Sequence, residues 1–201
     1  MNATTKTLSL TSVFLEGLYD PTTGSMNQAK GTGGLPQFGD GIADQVTVEL
    51  HNSTNPATIE YTASNVDLST SGVAVITIPA SYSGSYYITI KHRNSIETAT
   101  KIPVSFGTST INYALSTNTQ AYGDYLKNVS GTFPNYVIYT GDVNQDKSVG
   151  VLDMTAVDNK SKSFATGYLV EDINGDGSVG VLDMTIIDNN SKLFVSSHLP
   201  Y

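Results

Sequence analysis

Residues 142–164 read DVNQDKSVGVLDMTAVDNKSKSF, and residues 172–194 read DINGDGSVGVLDMTIIDNNSKLF. The stretches stand 30 residues apart and agree at 16 of 23 positions, so this part of the chain is a duplicated unit. Each copy opens with oxygen-bearing side chains at positions 1, 3, 5 and 12 of a twelve-residue stretch: Asp142, Asn144, Asp146 and Asp153, then Asp172, Asn174, Asp176 and Asp183. Calcium is a hard cation that takes about six to eight oxygens, and a loop with this spacing can wrap one. Position 7 contributes a main-chain carbonyl, from Ser148 or Ser178. Position 9 is Gly150 or Gly180, where a water must stand in, and position 12 gives a bidentate carboxylate. The sum is about seven oxygens and about three negative charges per loop, which predicts two Ca²⁺ ions; magnesium's tight octahedron suits such a flexible set less well.

The charge of the chain follows from these loops. Residues 142–201 hold nine acids and four bases, a net of −5, whereas residues 1–141 hold nine acids and six bases, a net of −3, together giving the −8 of the 201-residue chain. Two bound Ca²⁺ would bring −8 to about −4. With only ten Lys and Arg there is no basic footprint for nucleic acid. The absence of Cys excludes disulfide frameworks, thiolate metal sites and cysteine nucleophiles. No apolar run approaches the ~18 residues of a membrane span. The opening Met1-Asn-Ala-Thr-Thr-Lys lacks a basic stretch followed by an apolar one. Either the protein is cytoplasmic or Met1 heads a piece of a longer secreted precursor, and the calcium loops favour the second, because weak loops fill at extracellular calcium levels.

The flanks of each loop set its subtype. Tyr136-Val-Ile-Tyr-Thr-Gly141 and Thr166-Gly-Tyr-Leu-Val-Glu171 are β-branched and aromatic, so no helix enters either loop. Leu152 to about Lys160 and Leu182 to about Asn190 read as short exit helices, with Met154/Val157 and Met184/Ile187 on one face. Two departures from an EF-hand loop stand out. Position 12 is Asp, one methylene shorter than Glu, and position 6 is Gly177 in the second copy but Lys147 in the first. A side chain at a left-handed turn costs roughly 1 kcal/mol, so the first loop is expected to bind more weakly.

A tandem pair of D-x-N-x-D loops, each closed by Asp at position 12 and followed by a helix without an entering one, resembles a dockerin over about residues 141–195. That resemblance implies a calcium-dependent module, two F-hand repeats packed with pseudo-twofold symmetry, and a cohesin-like partner. The chain departs from many dockerins at loop positions 10 and 11, Val151-Leu152 and Val181-Leu182, and at Asp158-Asn159 and Asp188-Asn189. As a whole it is also similar to an uncharacterised C-terminal region of large secreted bacterial surface proteins. The stretches that carry this are Phe14-Leu-Glu-Gly-Leu-Tyr-Asp20, Val46-Thr-Val-Glu-Leu-His51, Tyr87-Ile-Thr-Ile-Lys-His-Arg-Asn-Ser-Ile-Glu-Thr98 and Gly141-Asp-Val-Asn-Gln-Asp146.

The whole chain is rich in Thr (25) and Ser (22), which favours strands and turns over long helices. Period-two alternation marks Leu8/Leu10 continuing into Val13/Leu15, then Val46/Val48/Leu50 against Thr47/Glu49/His51. Further runs are Val73–Ile78, Tyr86–Ile90, Ile102–Phe106 and Ile111–Leu115. Six or more short strands joined by Gly/Ser/Pro turns predict a mostly β fold: an antiparallel Ig-like β-sandwich over residues 1–135, followed by the duplicated calcium module over 136–201. Residues 20–41 form a Gly-rich loop too long for a plain connection, and residues 116–135 a second long connection. Lys91-His-Arg-Asn-Ser-Ile-Glu97 is the densest polar stretch, either a ligand site or a strand end bonded to neighbouring turns or to the calcium module. With Ile88 and Ile90 inward, His92 shares their face and Lys91 and Arg93 point out. Sequons at Asn2, Asn52 and Asn128 are what chance gives in so Ser/Thr/Asn-rich a chain.

No Ser/His/Asp or paired-carboxylate signature is present, so the predicted role is non-catalytic: an extracellular calcium-binding interaction or anchoring module, secreted or on the cell surface. Its partner would be a cohesin-like protein, or a neighbouring domain or subunit of a surface assembly. The alternatives are a calcium-rigidified structural or self-associating fibre protein, and a carbohydrate-binding sandwich using Tyr19, Tyr61, Tyr82, Tyr86, Tyr87, Tyr122 or Tyr125. Exposure of Val151, Leu152, Val181 and Leu182 separates docking from the structural role; a line of coplanar exposed tyrosines would mark sugar binding.

Overall fold

The computed structural model describes residues 4–133 and 135–201; the sequon at Asn2 begins outside the described residues. In chain order the strands are β1 (Thr5–Thr11), β2 (Tyr19–Asp20), β3 (Ser25–Met26), β4 (Ile42–Asn52), β5 (Ile59–Ser69), β6 (Ala74–Pro79), β7 (Ser85–His92), β8 (Ser95–Ala99), β9 (Val104–Ser105), β10 (Thr110–Ala114), β11 (Lys127–Val129) and β12 (Asn135–Val137). The helices α1 (Val151–Lys162) and α2 (Val181–Ser191) follow. The fold is mostly β, as the alternation predicts.

Between the strands of the main sheet the pairing is antiparallel, as expected, with one exception. The main sheet is one hydrogen-bonded path, β10-β1-β6-β5-β4-β7-β8, with β9 on β7. One pair, β1 with β10, runs parallel, from Thr7 opposite Thr110 to Thr11 opposite Ala114. The sheet curls because β4 and β5, eleven residues each, slip register three times, at Ile42/Asp44, Val46/Val48 and Leu50/His51, and each irregularity bends and twists the strand. Beyond the single pair Leu68–Ala74, β5 and β6 part company. Leu8 and Leu10 of β1, Ile76 and Ile78 of β6, Val48 and Leu50 of β4, and Ile88 and Ile90 of β7 all lie in one core with Phe106.

Other differences have local causes. β1 stops at Thr11 because Ser12 takes a left-handed conformation (φ 56°), so Val13 and Leu15 reach the core from a loop. The face of β4 carrying Glu49 and His51 was expected to meet water, yet both side chains are buried. The C-terminal tail covers them: the Tyr201 ring stacks on His51 at 4.5 Å and 8°. A register shift between Ile90 and His92 re-aims the end of β7. Arg93 therefore turns inward, its side chain only 10% exposed, instead of pointing out. β5 and β8 escaped the pattern search, β5 because its exposed, bulged sequence IEYTASNVDLS does not alternate cleanly.

Candidate metal centre

The duplicated sequence folds into two matching loop–helix units with no helix entering either loop. In the first, the Asp142 carboxylate accepts the N–H groups of Asp146 and Lys147, both at 3.1 Å. Asn144 Oδ1 accepts the N–H of Asp146 at 2.9 Å, while Asn144 Nδ2 donates to Asp146 Oδ2 at 2.9 Å. Asp146 Oδ1 accepts the N–H and hydroxyl of Ser148. Asp153 reaches back from the first turn of α1, accepting Val143 N–H at 2.7 Å and Asn144 N–H at 3.0 Å on one oxygen and Gly150 N–H at 2.9 Å on the other. Both Asp142 oxygens, Asn144 Oδ1, Asp146 Oδ2 and Asp153 Oδ2 each accept a single bond and keep a lone pair, whereas Asp146 Oδ1 and Asp153 Oδ1 accept two.

The second loop repeats the scheme. Asp172 Oδ2 accepts Gly177 N–H at 3.0 Å, and Asn174 Oδ1 accepts Asp176 N–H at 3.0 Å. Asp183 accepts Ile173, Asn174 and Gly180 N–H groups at 2.7, 3.0 and 2.8 Å. The other oxygen of Asp172, Oδ1, is buried with no hydrogen-bond partner. Buried carboxylate oxygens are rarely left so, because an unpartnered one carries its full desolvation cost. The donor set and this orphaned oxygen fit a hard cation. Among the described residues no three His, Cys, Asp or Glu side chains gather into a metal cluster by themselves. An ion would therefore also draw on Asn144 or Asn174, the Ser148 or Ser178 carbonyl, and water.

The loops are wedded to each other. Ser148 of the first loop bridges to Ser196 after α2, and Ser178 of the second bridges to Thr166 after α1, so each loop pairs with the strand-like segment following the other helix. Shifting Ser148 forward by the 30-residue repeat and Ser196 back by it gives Ser178 and Thr166, the other bridge, which is a pseudo-twofold. Val149, Val157, Val179 and Ile187 are buried within it. The extra positive charge that two ions would bring has a reason to settle here. Burial, with the neighbouring charges of Asp153 and Asp146, pushes the Asp142 carboxyl up to about 7. Burial, with Asp183 and Asp176, pushes Asp172 up to about 6, and burial raises Asp183 as well.

The backbone distinguishes the copies. Positions 4 and 6 are left-handed in both, filled by Gly175 and Gly177 in the second loop but by Gln145 (φ 59°) and Lys147 (φ 75°) in the first. That is the strain expected at Lys147, and it extends to Gln145.

The stretch Lys91–Glu97 serves the bland role foreseen for it. Asp44, fully buried, accepts the Tyr168 hydroxyl at 2.5 Å and Arg93 Nε at 3.1 Å, and lies 3.1 Å from His92 Nε2. Burial alone would raise Asp44, but His92, Arg93 and Tyr168 outweigh it and hold the carboxyl well below the usual range. Burial lowers the pKa of His92, which suits a neutral ring taking the Ser95 hydroxyl on Nδ1. Arg93 and Asn94 then reach the main chain leading into the second loop.

Sequence reasoning gave the Lys91–Glu97 stretch no exact address and missed two further groups of residues outright. Arg93 and Asn94 act on carbonyls some 76 residues away, which no local pattern reports. Glu16 accepts Asn190 Nδ2 at 2.7 Å and Thr140 N–H at 3.1 Å and pairs with Lys127, tying α2 to the sheet. Phe164 and Phe194, both left-handed and 87–88% exposed, end the two helices; their identity across the repeat was the available signal.

No family model matches the chain, and no curated protein does. Among the solved structures that match it in shape are two of a type II cohesin–X–dockerin complex from Acetivibrio cellulolyticus, one mutated at its N-terminal interface and one at its C-terminal interface. Each is 15% identical, covers 92% of this chain and 94% of the matched chain, and has a TM-score of 0.48.

Proposed function

We propose that the chain is a non-catalytic, extracellular docking module whose two loops each bind a Ca²⁺ ion through Asp142, Asn144, Asp146, Ser148 and Asp153, and through Asp172, Asn174, Asp176, Ser178 and Asp183. Bound calcium would neutralise the carboxylates crowded in each loop and fix the start of each helix, so metal binding becomes folding free energy. The domain division at 135/136 belongs to the same reading, the second segment being the calcium module and the first its support.

One observation carries the docking role. Val151, Leu152, Val181 and Leu182, the residues at loop positions 10 and 11, are 63–76% exposed, whereas Val157 and Ile187 one to two turns on are buried. Apolar pairs repeated on two helix starts and left in water suit a partner better than a core. Among the described residues these side chains stay largely in water and do not pack on the chain's own sheet as the structural alternative requires. The partner best fitted is a cohesin-type domain, the class the loop pattern itself suggests. Sugar binding gains no support: Tyr61, Tyr82, Tyr86 and Phe106 pack in tilted or edge-on pairs at 58°, 71° and 85°, not as a coplanar platform.

The test is surface plasmon resonance against a panel of immobilised cohesin domains with calcium and with EGTA. Calcium-dependent binding that falls when both Val–Leu pairs become Ser–Ser is expected. Binding that ignores calcium or the four substitutions would contradict the reading.

A further inference from the structure

The two loops are nearly identical in sequence yet differently housed. Asn144 through Lys147 lie in solvent, while Gly175 and Gly177 are buried against the sheet domain. The Gly-rich segment of residues 20–41 lies along the second loop, and Lys30 N–H donates to Gly175 C=O at 3.0 Å. A methyl on Gly175 would come within 2.4 Å of Leu18, and one on Gly17 within 2.1 Å of the Ile173 carbonyl. From the opposite side Arg93 Nη1 donates to the carbonyls of Leu169 and, at 2.9 Å, Asp172. Asn94 Nδ2 donates to the carbonyls of Val170 and Asp172 at 3.1 and 3.2 Å. The differences between the repeats follow this seat. Gln145 and Lys147 correspond to Gly175 and Gly177, and exposed Lys160 corresponds to buried Asn190. The first loop is tied mainly through main chain, Gly141 N–H to Asn94 O at 2.7 Å at its entry and Ser197 N–H to Lys147 O at 2.8 Å; its own side chains add only longer contacts to the sheet, Lys147 to Glu97 at 3.4 Å and Gln145 Nε2 to Ser95 O at 3.5 Å.

We infer that Arg93 and Asn94 are positioning residues for the second loop, holding its entry carbonyls in place before an ion arrives, so that the second loop fills before the first. The inference rests on the calcium reading above and concerns its order and its support. A loop whose backbone is already held loses less conformational freedom on binding, and the saving appears as affinity. The first loop must order more chain on binding, and does so around two left-handed non-glycine residues.

Two amides report the loops separately: Gly177 N–H on Asp172 and Lys147 N–H on Asp142. Calcium titrated into the EGTA-stripped full chain, followed by ¹H–¹⁵N NMR, should shift Gly177 at lower calcium than Lys147. Asn94→Ala should raise the Gly177 midpoint about tenfold, through the loss of its bonds to the Val170 and Asp172 carbonyls, and leave the Lys147 midpoint unchanged. Arg93→Lys, which keeps the charge but loses the fork, should act in the same direction if Asn94→Ala folds poorly. Coincident midpoints in the unmodified chain, or a variant that moves both amides equally or neither, overturns the inference. Silence of both amides at millimolar calcium overturns the calcium reading itself, so the two failures are told apart.

Discussion

On the proposed reading, Asp142 and Asp172 are the residues at which calcium and protons would compete. Both carboxyls are raised in the folded, ion-free chain, to about 7 and about 6, first by burial and then by neighbouring carboxylates. A raised carboxyl favours the fold below its unfolded pKa near 3.9, and that contribution is lost as pH climbs through the folded value. The ion-free loops therefore weaken between about pH 4 and 7, and on the proposed reading calcium would relieve that repulsion only where the carboxyls are ionised. The gain in melting temperature from millimolar calcium should be larger at pH 8 than at pH 5; an equal gain would place the ion elsewhere. Differencing with and without calcium also cancels His92, whose lowered pKa costs stability as pH falls below about 6.5. Two backbone predictions belong here as well. Lys147→Gly should tighten the first loop by up to about 1 kcal/mol by relieving its left-handed strain, read by calorimetry. Gly17→Ala should lower the melting temperature by several degrees, since its methyl meets the Ile173 carbonyl at 2.1 Å. The two matching loops were legible in the sequence because a twelve-residue loop is a local object, its shape set by residue type and spacing; the donor role of their oxygens is the proposal. Gly17 was not, because the reason for its glycine lies across the molecule.

At the scale of elements, each helix divides its apolar residues between two tasks. Val157 and Ile187 are fully buried where α1 and α2 meet the core, and Ile187→Ala should cost about 2–4 kcal/mol in denaturant unfolding. Changing Val151, Leu152, Val181 and Leu182 together to Ser should move stability by less than about 1 kcal/mol, since these side chains already lie in water. A large loss of stability in that variant would mean that the pairs are structural. The helices were legible to within two residues, because they begin where position 12 places Asp153 and Asp183 as first-turn acids. Strand β4 was legible on its core face but not on its other face. Alternation reports one side's burial and is silent about a tail that returns to cover the second. The same limit hid β5, whose irregular register is what lets the sheet curl.

For the molecule as a whole, the sheet and the duplicated unit share one continuous core, with Val143, Val149, Ile173 and Val179 packed in the same cluster as Leu8 and Ile78. Buried polar ties cross between them at Glu16–Asn190 and Arg93–Asp172. The C-terminal tail adds a strap, with Ser197 N–H on Lys147 O at 2.8 Å, Tyr125 stacked on His198 at 4.0 Å, and Tyr201 on His51. These long-range ties were the least legible part of the sequence, since each joins residues dozens of positions apart. They give the acidity that first marked the chain a structural address: six Asp side chains in two loops braced by the sheet. The most direct test of the central claim is a calorimetric titration of Ca²⁺ into the EGTA-stripped chain at pH 8. Two bound ions per chain, falling to one in Asp183→Ala, is the predicted result; fewer than two at millimolar calcium would contradict it.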